Sequence, residues 1–542
     1  MRPALVLFAL ITLACADDPL EPLRPDGSRP PPASDAGPPP PLSPDRRDPP
    51  RCDEQLGAPI VRRLTATQLR NSLEDLFGPE VPDGDVLVDP TTHGYDADAR
   101  EAVVRDVGAN QVMLHAERVA AWAVEHRLEA IVPCDDTSAI CRVQWIRELG
   151  LRLFRRPLAD EWLLAYDTLA DQEADSESGV EAVVSAMLQS PYFLYRQELG
   201  EPVPGDETIV ALTPYELATA LAFFVTNSAP DAALLEAARS GRLRTDEDLE
   251  RELDRLLATD RAREMLGRFA RQWLGVADLM SRPKDPSQEG FTAEVRTSML
   301  READALFAHV FESGGGFADL FDAPYSFADG ALARFYGIDG IEGDELARFD
   351  VEEGRRARGV LGLGSVLSRH AIADSSSPVQ RGALVRERFL CQPLESPPPS
   401  VNTTLAPIEG MITTRERYLQ HTSDPFCAGC HALTDPIGFA LGQYDAVGRR
   451  RDSEHGHPLD VTGTIVETAD GDVPLEGPAS LSRYLADSPE ARACFVQNLA
   501  YVAFGVEGCT YASVVGELRA DTPLREILRR IVLSRPFRYR SR

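Results

Sequence analysis

Apolar residues recur along most of this chain at spacings of three and four, the period of a helix with one buried face. Leu69, Leu73, Leu76 and Phe77 make one such stripe, opened by the capping box Thr65-x-x-Gln68 and closed by Gly78-Pro79. Leu217, Leu221, Phe224 and Val225 make another behind Thr213-Pro214-x-Glu216, with proline at the first helical position. Ser228-x-Pro230-Asp231 starts a further helix, closed by Gly241. Thr245-x-x-Asp248 starts the next, faced by Leu249, Leu253, Leu256 and Leu257, and Leu266, Phe269, Trp273 and Leu274 carry the pattern on. A last helix begins at Thr522-Pro523 and carries Leu524, Ile527, Leu528 and Ile531. Trp145 and Trp273 fall on apolar faces and are expected in the core. Short connections between the runs make neighbours antiparallel. Strand signals are sparse. Only 457–474, with Val461, Thr464-Ile465-Val466 and the turn residues Asp470-Gly471-Asp472, reads as a small β hairpin near the C-terminal part. The pattern predicts a mainly α, multidomain chain of helical bundles. Ser190-Pro191-Tyr192-Phe193 and Ser534-Arg535-Pro536-Phe537 echo each other, which reads as two helices ending alike rather than as a repeat architecture.

Composition adds little to this picture except through charge. Lys plus Arg is 56 and Asp plus Glu is 86, a net charge of −30. A body this acidic repels nucleic acid and anionic lipid surfaces, which argues against a nucleic-acid partner.

The N-terminus reads as a targeting segment. Arg2 precedes an apolar run over 4–13, too short to span a bilayer. The run ends at Thr12-Leu13-Ala14-Cys15, and a small residue before a cysteine at this place resembles a bacterial lipoprotein processing site. Residues 1–15 are therefore expected to be a signal peptide with a lipid-bearing Cys15; a plain secretory signal is the alternative. Residues 16–51 are rich in proline and polar residues and read as a disordered tether. The chain is thus expected in the cell envelope, exported, with a lipid anchor as its sole hold on a membrane facing the periplasm or cell surface.

Export bears on the one short motif that carries chemistry, Cys427-Ala428-Gly429-Cys430-His431. Two thiols three positions apart with histidine directly after match the attachment pattern of haem c: two thioethers clamp the ring edge and the adjacent imidazole reaches the iron. In bacteria that attachment takes place outside the cytoplasm. A thioredoxin-like pair should follow a strand, whereas 415–420 reads as a helix broken at Asp424-Pro425. A zinc half-site needs a second pair of ligands, and His455-Gly456-His457 fits poorly. A structural disulfide remains the third competitor.

Around the motif run Ser376-Ser377-Pro378-Val379-Gln380-Arg381-Gly382, Pro397-Pro398-Pro399-Ser400-Val401, Asp435-Pro436-Ile437-Gly438-Phe439 and Tyr444-Asp445-Ala446-Val447-Gly448-Arg449. With Arg62-Arg63-Leu64-Thr65 near the start, Phe154-Arg155-Arg156-Pro157-Leu158, 190–198, 212–274 and 481–540, the chain resembles a family of large exported proteins of planctomycetes and myxobacteria. Its members join PSD/PSCyt-type domains of unknown function to a cytochrome-type segment. The resemblance implies an N-terminal helical domain over 52–130, a second over 131–200, a central one over 207–350, a cytochrome-type domain over 351–455 and a C-terminal domain over 456–542.

The remaining residues are read from their neighbours. Of nine cysteines, six are left once Cys15, Cys427 and Cys430 are assigned. Cys134 with Cys141, across Asp135-Asp136, and Cys494 with Cys509, bracketing a helix and a Gly-rich turn, are expected as disulfides, which leaves Cys52 to Cys391. Asp435 and Asp445 read as turn or cap residues. Arg381 and Arg449 stand open between haem propionates and surface ion pairs. No methionine follows His431, and the nearest, Met411, precedes it. A second iron ligand is therefore expected from His421, ahead of His455 and His457, or the position is open. An iron without thioether ligation has the lower reduction potential. The expected function is an envelope-anchored c-type haem protein for electron transfer or redox chemistry with a partner the sequence does not name. An exported scaffold or binding protein with a disulfide at the CxxC, and an exported polymer-acting hydrolase, stand as alternatives, and the sequence leaves open whether the protein is an enzyme.

Overall fold

Local capping decides where most helices begin. In the computed structural model, Thr65 Oγ1 accepts from the Gln68 amide at 3.1 Å while Gln68 Oε1 accepts from the Thr65 amide at 3.2 Å, and the helix Ala66–Phe77 follows. Thr213 and Glu216 repeat the arrangement ahead of Pro214–Thr226. Helices Ala232–Arg239, Asp246–Leu257 and Leu524–Leu533 start where the sequence places them, while Leu266 to Trp273 lie on a separate helix, Asp260–Trp273, capped by Thr259. The structure describes residues 56–542 apart from 85–86, 92–93, 97–101, 135–137, 353, 396–411, 422–424, 506–511 and 517. It is mainly α, with antiparallel sheets of two or three strands. Among the described residues no helix is long and apolar enough to cross a membrane. Cys15, Cys52, Met411 and Cys509 lie outside the described residues.

Among the described residues two large apolar cores form, beside a smaller cluster of Leu279, Val295, Met299 and Leu332. One gathers Leu69 to Leu194 and includes Trp145. The other runs from Tyr95 to Phe537 and joins the central helices to Phe389, Ile437, Leu441 and the last helices. Trp273 is fully buried at its heart, with ring centroids of Phe389 at 4.9 Å and Phe495 at 5.1 Å. Its indole donates to the Arg388 carbonyl at 3.1 Å, which lets so large a ring be buried without an orphaned N–H.

The expected hairpin forms from Thr462–Thr468 and Gly471–Glu476, with Ile465 opposite Val473 and a turn through Gly471 at φ 82°. Periodicity missed the other strands because they are short and joined from distant segments. Ile60–Arg63 pairs with Tyr195–Glu198, and Asp206–Ala211 lies between Glu201–Val203 and Tyr539–Ser541. The echoed motifs are more than two helices ending alike. Each is one helical turn, Pro191–Leu194 and Arg535–Arg538, that runs straight into a strand. Each strand sends a buried arginine, Arg196 and Arg540, to Glu198, and Arg62 adds a third guanidinium at 3.6 Å. Burial alone would raise the Glu198 pKa; Arg540, Arg62 and Arg196 outweigh it and hold the carboxyl down to about 2.

Cys134 and Cys141 form a disulfide across a separation of 7 residues. Cys494 does not pair with Cys509 as its sequence neighbourhood suggests, nor is Cys391 left for Cys52: Cys391 and Cys494 are joined, 103 residues apart. Cys494 sits early in the helix Pro489–Phe504 and faces inward, 2% exposed, beside the segment that ends at Leu390. About 15 Å of rigid helix separates it from the helix end that leads to Cys509.

Lys284 is the only lysine of the chain. Half-buried, it donates to the carbonyls of Ala371 and Ile372 at 3.0 and 2.9 Å. Burial, with Arg381 and Arg296 adding, brings its pKa down to about 7. An unfolded chain holds that proton to about pH 10.4, so between these values the unfolded state binds more protons. Stability therefore rises as pH climbs from about 7 toward 10, with a slope of at most about 1.4 kcal/mol per pH unit, reduced because part of the ammonium meets water. Denaturant titrations of wild type and Lys284→Met at pH 7, 8 and 9 should diverge, wild type gaining with pH. A constant difference across that window would refute the assignment.

Candidate functional site

The motif lies on the helix Pro425–Phe439, which follows the helix Thr414–His421. Pro425 tolerates the first position because that amide has no helical acceptor. Helical spacing sets Cys427, Cys430 and His431 on one side, with Asp435 one turn beyond His431. Both cysteines are thiols here, Cys427 half-buried and Cys430 exposed.

His431 Nδ1 lies 2.9 Å from Asp435 Oδ2. An ionised carboxylate has no hydrogen to give, so Nδ1 carries the proton and Nε2 the lone pair, the tautomer a metal ligand needs. Asp435 is 4% exposed, and Thr434 Oγ1 donates to its other oxygen at 3.3 Å. Tyr418, on the preceding helix, sets its ring 6.5 Å from that of His431, and its hydroxyl is 3.3 Å from Ser377 Oγ. Asp435 is thus neither a turn nor a cap residue. Asp445 is one: its Oδ1 accepts from the amides of Val447 and Arg449, both at 2.9 Å.

The back of this helix is locked by glycines. A Cβ at Gly382, on the neighbouring helix Pro378–Leu384, would stand 2.0 Å from the Thr434 carbonyl oxygen, and one at Gly438 would stand 2.1 Å from that of Pro378. The two backbones touch, and any side chain at either place drives them apart. Gly463 of the hairpin closes on the Pro436 carbonyl from another side. At Gly429, between the two thiols, an added Cβ would meet nothing within 4 Å. The helix is therefore open at Gly429 while its far side is held.

Arginines complete the support. Arg381 is 1% exposed and donates to the carbonyls of Leu441, Tyr444, Leu367 and Asp445 at 2.8–3.0 Å. Arg449 binds Asp445 at 3.0 Å, the Glu289 carbonyl at 3.1 Å and Gln288 Oε1 at 3.0 Å. Both guanidinia bind protein groups, Arg381 in the interior, and both pin the turn that follows the site helix. Arg386, which periodicity did not single out, ties the Leu433 carbonyl at 3.0 Å to the hairpin carbonyl of Val466 at 2.7 Å.

The histidines offered as second iron ligand are not gathered in one place. His421 ends the helix Thr414–His421, its side chain outside the described residues. His455 and His457 are exposed on a turn fastened to the other end of that helix, where Glu454 accepts from the Thr414 amide at 2.6 Å. Among the described residues no three His, Cys, Asp or Glu side chains cluster to hold a metal on their own.

Four family models match the chain in succession: PSD3, a protein of unknown function (DUF1587), over 62–125; PSD5, a protein of unknown function (DUF1595), over 141–198; PSD4, a protein of unknown function (DUF1592), over 212–338; and PSCyt3, a protein of unknown function (DUF1588), over 357–454. The last covers the helix that carries Cys427, Cys430 and His431. No curated protein and no solved structure matches the chain.

Proposed function

We propose, from the premise that this chain is a multidomain protein of the PSD/PSCyt type, that it carries covalently bound haem c and serves electron transfer or redox chemistry at the cell envelope. The observation that carries the reading is the helix face itself: two thiols, an imidazole oriented by a buried carboxylate, and open space at Gly429. Cys427 and Cys430 would hold the ring edge through thioethers, and His431 would hold the iron through Nε2. The group, once bound, supplies one-electron transfer. The chain's own part is to fix that edge on a helix that cannot shift and to keep the imidazole in one tautomer. The name PSCyt3 agrees with a cytochrome-type segment.

A lipid on Cys15 and the tether over 16–51 would hold the body off a membrane surface, facing an unknown redox partner. His421 is favoured as second iron ligand over His455 and His457 because the latter two sit by Thr414, at the end of the helix away from His421.

One mass spectrum of the mature protein, made with a working haem-maturation system, tests both attachments. A haem adduct is expected on the peptide with Cys427 and Cys430, lost in Cys427→Ala/Cys430→Ala, and acyl groups are expected on Cys15. A wild type with an oxidised Cys427–Cys430 pair and no adduct would instead support the scaffold reading. An unacylated N-terminus beyond residue 15 would leave a secreted protein without an anchor.

A further inference from the structure

We propose that Asp435 is a positioning residue for the haem iron, one that strengthens His431 as a ligand and holds the haem at a lower reduction potential than a carbonyl-bonded histidine would. The proposal rests on the haem reading above.

Burying a carboxylate costs free energy unless it is partnered. Of the other buried acids, Glu198 is partnered by arginines and Glu302 by the Ser326 and Tyr336 hydroxyls. Among the described residues no arginine pairs with Asp435; its partners are the His431 imidazole at 2.9 Å and the Thr434 hydroxyl at 3.3 Å. The pair is also fixed in place. Gly382 presses on the Thr434 carbonyl next to Asp435, and Gly438 presses on Pro378 one turn further along. The backbone that carries the carboxylate is thus held on both sides of Asp435.

A charged acceptor takes a stronger hydrogen bond from Nδ1–H than a neutral carbonyl does, and more so where water is excluded. Drawing that proton toward the carboxylate raises electron density at Nε2. A stronger nitrogen donor favours the ferric over the ferrous iron, which lowers the potential. Thr434 moderates the effect, since its donation to Oδ1 withdraws density from the carboxylate.

Redox titration of the full-length, haem-loaded protein decides the matter, with wild type, Asp435→Asn and Thr434→Val compared under one set of mediators. Asp435→Asn keeps the shape but leaves a neutral acceptor, and its midpoint should shift upward. Thr434→Val removes the moderating donor, and its midpoint should shift downward. Should Asp435→Asn fail to fold, Thr434→Val remains, together with the iron–histidine stretch in resonance Raman of the ferrous His421→Ala protein, whose iron lacks a second histidine; that stretch is expected above the range of carbonyl-bonded histidines. Unshifted midpoints with haem still attached, or a stretch in the carbonyl-bonded range, overturn the proposal while leaving the haem reading intact. A wild type with no Soret band overturns the haem reading, and the role of Asp435 falls with it.

Discussion

Cys494→Ser should lower the stability of the folded chain by about 4–5 kcal/mol, the loss expected when a loop of this length is no longer closed in the unfolded state. The Cys391–Cys494 bond spans 103 residues, and that loop contains the site helix and the hairpin that packs on it. Cys391→Ser should cost the same, and the double variant no more than either alone, because one bond is lost in each case. Urea titrations with and without reductant measure this. A loss under about 1 kcal/mol in the single variants would mean that the bond does not form in the mature protein. The Cys134–Cys141 bond closes a loop of 7 residues and should matter less.

Arg381→Met should also be strongly damaging, through a different cause. The guanidinium satisfies four carbonyls in the interior, those of Leu367, Leu441, Tyr444 and Asp445. The Leu441 and Asp445 carbonyls keep a backbone donor, from Tyr444 and Gly448, so the larger loss falls on those of Leu367 and Tyr444, on the order of 1–3 kcal/mol each. Arg381→Lys should rescue little, since an ammonium cannot present the flat fork that reaches all four. Soluble yield and the denaturant midpoint read the effect. If Arg381 instead served a haem propionate, the variants would keep their stability and change only the spectrum of the bound group, and that outcome would sink the pinning role.

What was legible from residue order follows one physical rule: interactions that close within about four residues announce themselves. Capping boxes at Thr65 and Thr213, the turn at Asp470-Gly471 and the CxxCH spacing are of this kind, and the Cys134–Cys141 bridge closes over only 7 residues. Asp435 lies within that range of His431 and was still read as a turn residue, because Pro436 signals a break. The helix instead runs on to Phe439 with the proline inside it, held by Gly382, Gly438 and Gly463 from neighbouring elements.

The rest required packing. Arg381 and Arg449 were ambiguous in sequence because a guanidinium suits a carboxylate, a carbonyl or a phosphate equally, and only the turn around 441–449 shows which it meets. The echo of Ser190-Pro191 at the chain's far end became meaningful once Arg196 and Arg540 reached the same Glu198. The Cys391–Cys494 pairing departs from sequence proximity because Cys494 faces inward from its helix, beside the segment that ends at Leu390. The sequence by itself determined the helices, the hairpin and the thiol-and-imidazole motif, all set by short-range hydrogen bonds and periodicity. The tertiary structure alone decided which distant cysteines meet and which arginines are buried, because these depend on how rigid elements close against one another rather than on their order along the chain.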